Sequence, residues 1–102
     1  MMAEQKPSIV AFKELIYGEG RSIVYFYADW VAQCRAMKET VRSAAVKAGV
    51  ERIGYVNVDE SKELFVIYKV ESVPTVAVFE KGEPIKKIEG YLPEDQLVAQ
   101  LK

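Results

Sequence analysis

One thiol, Cys34, is the residue in this chain best suited to covalent chemistry. A thiol attacks as its thiolate, and the start of a helix or a neighbouring cation favours that form. Cys34 closes the stretch Trp30-Val31-Ala32-Gln33-Cys34, between a β-branched and aromatic run and a helical pattern. Arg35 comes next, but successive helix positions point about 100° apart, so adjacency alone does not aim it at the sulfur. Further along, Val73-Pro74-Thr75 opens a second β-branched run. What is missing narrows the chemistry further. The chain has one cysteine and no histidine, so no internal disulfide, Cys-rich metal site, His triad or His switch is expected. No metal and no cofactor are expected.

The elements that must position these residues can be read from composition and period. The chain is 102 residues long, half apolar and 28% charged, which suits one folded domain spanning residues 1–102. Fourteen Lys and Arg against fifteen Asp and Glu give a net charge of −1, a poor basis for binding nucleic acid or an anionic membrane. Apolar runs fall far short of the ~20 residues needed to span a bilayer. The first seven residues are polar and charged, without an apolar signal core. A cytoplasmic protein is therefore expected.

Ser8 is placed to cap a first helix carrying Ile9, Phe12, Leu15 and Ile16, with Gly18 and Gly20 ending it. Ser22 to Ala28 is β-branched and aromatic, the pattern of a strand covered on both faces. Ala32 to Ala48 aligns Met37, Val41, Ala44, Ala45 and Ala48 on one helical stripe, stopped by Gly49. Ile53 to Val58 is a second strand. Leu64 to Tyr68 is compatible with strand, but Ser61 followed by Glu63 and Leu64 favours a short helix. Thr75–Glu80 and Pro84–Glu89 flank Lys81-Gly82, a hairpin turn. Pro93 opens a last helix with Glu94 and Asp95 in its first turn and Leu97, Val98 and Leu101 on its buried face. The order α-β-α-β-α-β-β-α implies an α/β fold. It is a three-layer α/β/α sandwich with a central mixed β-sheet.

This order, together with Trp30, Cys34, Asp59, Tyr68, Val73-Pro74-Thr75, Gly82 and Gly90, resembles the thioredoxin family. The likeness runs from about Ser8 to Leu101 and implies the thioredoxin fold. In that family Trp-Cys-Gly-Pro-Cys sits at a helix start, facing a cis-proline in a Val/Ile-Pro-Thr segment. The departures fall on the chemistry. The attacking cysteine is Val31 here, so that WVAQC stands where the family has WCxxC. Gly-Pro is Ala32-Gln33. The buried acid of the central strand is Tyr25, and the lysine it pairs with is Tyr55. Tyr25 and Tyr55 are expected as core residues whose hydroxyls find partners, in each other or in water.

Exchange in this family needs a thiolate to attack and a second thiol to release the mixed disulfide. Val31 has no nucleophilic atom. Cys34 aligns with the second, resolving thiol, which is usually shielded, and an apolar shield disfavours an anion. The resemblance therefore implies that dithiol reduction is impaired or absent while the cis-proline groove for clients is kept. Trp30, Val31, Ala32, Val73, Pro74, Thr75 and Tyr91 would bind protein or peptide clients in extended conformation by strand addition. A thioredoxin-reductase-type partner and a monomeric state are also implied.

Two other readings stay open. Peroxiredoxins share the fold and use a cysteine at the position of Cys34, so a single-cysteine enzyme, peroxidase-like or monothiol, is one. That family cradles its sulfur with an arginine and a polar residue, and Val31 offers no hydrogen bond there. The other takes Val31 as an engineered replacement in an active chain reading Cys-Ala-Gln-Cys.

Overall fold

A computed structural model describes residues 9–18, 20–50 and 52–102. Its centre is β1 (Arg21–Tyr27), in which every residue after Arg21 is buried. β1 pairs in parallel with β2 (Arg52–Asn57) and antiparallel with β3 (Thr75–Glu80), which pairs antiparallel with β4 (Glu83–Glu89). The sheet order is β2-β1-β3-β4. Among the described residues four helices flank it: α1 (Ile9–Tyr17), α2 (Ala32–Ala48), α3 (Lys62–Ile67) and α4 (Glu94–Leu101). This is the α/β/α sandwich expected from the element order, and strand limits shift by about one residue. Ser8, expected to cap α1, lies outside the described residues.

Alternation along β1 divides the core. Ile23, Tyr25 and Tyr27 pack with Cys34, Met37, Val41, Ala44 and Leu97 beneath α2 and α4. Val24 and Phe26 pack with Phe12, Ile16, Leu64 and Phe79 beneath α1 and α3. The period-2 strand thus serves two unlike layers. Cys34 joins the buried stripe of α2, whereas Ala48, expected on it, is only half-buried.

The connections follow local backbone chemistry. Gly49 adopts φ 82°, and the amides of Gly49 and Val50 donate to Val46 O and Ala45 O, the Schellman pattern that satisfies the last carbonyls of a helix. Lys81 and Gly82 both have positive φ, 54° and 82°, as a two-residue hairpin turn requires. The Gly82 amide donates to Ile16 O at 2.9 Å, and a Cβ at Gly82 would collide with the Tyr17 ring. Arg52 Nε donates to Leu15 O and its Nη2 to Gly20 O. These bonds fasten the end of α1. The segment 61–68 resolves its sequence ambiguity as a helix. Ser61 nevertheless does not cap it; its hydroxyl is buried without a partner among the described residues. No helix among the described residues is long and apolar enough to cross a membrane.

Candidate functional site

The sheet register collects the singled-out residues at one end. Tyr27 pairs with Asn57, Phe26 with Thr75, and Thr75 with Glu89. The chain that leaves β1 and β2, enters β3 and leaves β4 therefore converges there. Val31 is the N-cap of α2, with extended φ and ψ of −98° and 118°. A valine side chain makes no cap hydrogen bond, so the first turn is held by Val31 O, which accepts from the Cys34 and Arg35 amides at 3.0 and 3.3 Å.

Cys34 is only 1% exposed. Positions 34, 37, 41 and 44 recur at helical spacing, so the stripe that buries Met37 and Val41 buries the sulfur residue as well. Tyr25, directly below, donates its hydroxyl to Cys34 O at 2.7 Å. The Tyr25 hydroxyl, expected to bond either Tyr55 or water, donates to this backbone carbonyl, and the Tyr25 and Tyr55 rings meet edge to face with centroids 6.3 Å apart. Burial, and then Cys34 alongside, push the Tyr25 phenol far above its ordinary range. Burial also raises Tyr27 and Tyr55. Lys38 lies over both of their rings, 4.9 and 5.7 Å from the centroids, and desolvation lowers its pKa.

Trp30 is 71% exposed. Its indole Nε1 donates to Asp59 Oδ2 at 3.0 Å. Asn57 Nδ2 donates to Asp29 Oδ2, and Asn57 Oδ1 accepts from the Asp59 amide. Arg35 Nη1 donates to Asp29 O at 2.7 Å. The loops after β1 and β2 are therefore tied to each other and to α2, and Trp30 is held outward. Arg35 is engaged by a backbone carbonyl.

Across from them, the Val73–Pro74 peptide bond is cis and Pro74 is buried. Thr75 Oγ1 donates to Ser72 O, and Pro74 O accepts from the Gly90 amide at 2.8 Å. Val31 and Val73 both pack against the core cluster that contains Cys34. The structure thus brings Val31, Cys34, Val73, Pro74 and Thr75 to one place, with Ala32 exposed beside them. Tyr91, 48% exposed, follows Gly90 on the strand-exit side. None of the turn and loop backbone hydrogen bonds among the described residues uses the Val73 amide or carbonyl. Two cavities among the described residues, of about 670 and 520 Å³, are lined by other residues. Among the described residues no group of three or more acids or cysteines is placed to hold a metal.

Two features escaped the sequence. The Tyr25–Cys34 O bond joins a strand to the helix above it, and only tertiary packing sets that distance. The Trp30–Asp59 bond was more accessible, because each residue follows the end of one of two parallel neighbouring strands.

Comparison with known proteins places these observations in a wider set. The thioredoxin family model matches residues 5–102. A thioredoxin from Alicyclobacillus acidocaldarius is 35% identical over 91 residues, covering 88% of this chain and 87% of its own. A thioredoxin from Mycoplasma pneumoniae is 29% identical over 97 residues, 95% of each chain. Among solved structures, a mutant thioredoxin from Halobacterium salinarum superposes with a TM-score of 0.86 at 25% identity, over 94% of this chain and 84% of that one. Plasmodium falciparum thioredoxin shares the fold, with a TM-score of 0.82 at 21% identity over 95% and 96% of the two chains.

Proposed function

Starting from the fact that the chain belongs to the thioredoxin family, we propose that it is a polypeptide-binding member whose dithiol reductase activity is lost. One observation carries this reading. The N-cap position of α2 is a half-buried hydrocarbon, Val31, and the chain's one sulfhydryl, Cys34, is sealed beneath the helix at 1% exposure. Thiol–disulfide exchange begins with an accessible thiolate meeting a disulfide sulfur in line. A valine presents no electron pair, and a buried thiol cannot approach a protein disulfide without opening the helix start.

Binding needs none of that chemistry. An extended client segment would lie beside Val73-Pro74-Thr75 and take up the uncommitted Val73 amide and carbonyl as an added strand. Trp30, Val31, Ala32 and Tyr91 would contact its side chains. The same reading assigns the protein to the cytoplasm, as a monomer, with a thioredoxin-reductase-type protein as a further partner.

Insulin reduction driven by dithiothreitol or by a thioredoxin reductase tests the redox half, and titration with unfolded clients tests the binding half. The unmodified chain is expected to give no turnover above background and to bind clients saturably. Val31→Cys is expected to raise reduction by orders of magnitude. Catalytic turnover by the unmodified chain would overturn the first half, and absence of client binding the second.

A further inference from the structure

The larger cavity, about 670 Å³, lies where the end of α1, the end of α3 and the β3–β4 hairpin meet, and it shares no residue with the client surface. Its volume falls within the roughly 300–1,000 Å³ that holds a small organic molecule. The apolar wall is assembled from three elements: Tyr17 of α1, Ile67 of α3 and Ile85 of β4, each of them exposed. Exposed large apolar side chains are ordinary when scattered singly, and their convergence on one concavity is the pattern of a binding site. The wall is also preformed. The Tyr17 ring sits so close to Gly82 that a Cβ there would collide with it, and the Gly82 amide holds Ile16 O at 2.9 Å.

The polar groups of the lining are nearly all donors. Lys87 Nζ is positioned on Lys69 O at 3.0 Å and reaches Tyr68 O at 3.5 Å, which leaves one N–H of the ammonium uncommitted. Lys69, just past α3 with φ 57°, adds a second, exposed ammonium. Tyr17 and Tyr68 supply two phenols, and neither hydroxyl makes a hydrogen bond among the described residues. Tyr17 is close enough to add to the rise that burial gives the Tyr68 pKa. Lys86 also lines the cavity, but its ammonium is spent on Gln100 O and Oε1. Against these donors stands one carboxylate, Glu83. The flanking residues add no net positive charge, since Lys81 is offset by Glu80 and Glu71. The preference is therefore set inside the cavity, by which groups can donate at short range.

We propose that this cavity is a binding site for a small organic monoanion of the aromatic carboxylate class. The ring would lie against Tyr17, Ile67 and Ile85, and the carboxylate would accept from Lys87, Lys69 and a phenol. Hydrogen bonds from an ammonium to a carboxylate are the strong kind, about twice a neutral pair. One negative charge suits the lining, because Glu83 opposes a second. The site needs neither Val73 nor Cys34, so it stands or falls apart from client binding.

The experiment titrates the full chain with naphthoate and with its neutral isostere naphthamide, followed by calorimetry and by backbone amide NMR shifts. Naphthoate is expected to saturate, moving the amides of Ile67, Lys69, Gly82 and Ile85 and leaving Trp30 and Thr75 in place. Naphthamide is expected to bind about tenfold more weakly. Lys87→Met keeps an apolar stem without the ammonium and is expected to weaken naphthoate about tenfold while leaving naphthamide unchanged. Lys69→Gly removes the second ammonium at a position whose positive φ glycine adopts freely, so the fold is kept and naphthoate weakens severalfold. Equal binding of the two compounds, no saturation by either, an unchanged naphthoate affinity in Lys87→Met, or shifts centred on Trp30 and Thr75 would each overturn the site.

Discussion

The two faces of the sheet are built from one strand and differ in what they can do. Odd-numbered residues of β1 put Tyr25 and Tyr27 beside Cys34 and, with Tyr55 on β2, make a layer rich in hydroxyls. Even-numbered residues put Val24 and Phe26 among Phe12, Phe79 and Leu64, a hydrocarbon layer with Tyr68 at its margin. In the first layer Tyr25 spends its hydroxyl on the start of α2. In the second, Phe12 and Phe26 make ring contacts with Phe79 and Phe65 near 90°, and the buried Ser22 hydroxyl finds no partner among the described residues. The aromatic-hydrocarbon face is scaffold. The hydroxyl face is where strand and functional helix are coupled.

The contrast can be broken by truncating the scaffold. Phe79→Ala removes a fully buried ring and is expected to cost about 3–5 kcal/mol, read as a lower denaturant midpoint without loss of slope. A cost under about 1 kcal/mol would mean that this layer does not hold the fold.

The contrast is sharpened by Tyr25→Phe, which keeps the ring and removes the bond to Cys34 O. A loss of about 1–2 kcal/mol is expected, with faster reaction of Cys34 toward a thiol reagent because the start of α2 is less firmly held. An unchanged thiol rate would separate the hydroxyl from that role.

Alkaline titration probes the same layer. Tyr25, Tyr27 and Tyr55 have folded values raised by burial. Such phenols give their full stabilisation below about pH 10 and lose it as pH climbs toward the raised values, because the unfolded chain ionises first. Stability from this source should hold up to about pH 10 and fall above it. Tyr25→Phe should fall less steeply over that range.

The smallest effect is Ser22→Ala. Replacing a buried hydroxyl that has no protein partner is expected to be neutral or stabilising by up to about 1 kcal/mol. A clear loss would show that the hydroxyl is satisfied in solution.

Much of this division was legible in the sequence. The unbroken run Ser22–Ala28 announces a strand with two covered faces, Lys81-Gly82 announces a hairpin, and the likeness to the thioredoxin family implies a shielded Cys34. Leu64 to Ile67 was harder, because four apolar residues fit either period; the fold settles it by burying Leu64 and leaving Val66 and Ile67 exposed. Ser61 shows another limit, since a residue type suited to capping is turned instead into the interior. The hydroxyl partner of Tyr25 was illegible because it depends on how closely α2 settles on β1.

The bonds at the end of α1 carry a consequence for the order of assembly. Leu15 O and Ile16 O are among the carbonyls that helix geometry leaves without internal partners, and they accept from Arg52 and Gly82. Those donors lie tens of residues downstream. During synthesis α1 emerges ahead of every other described element, yet its last turn is closed only when β2 and the hairpin have been made. Of the described helices, the one made first is among the last to be finished.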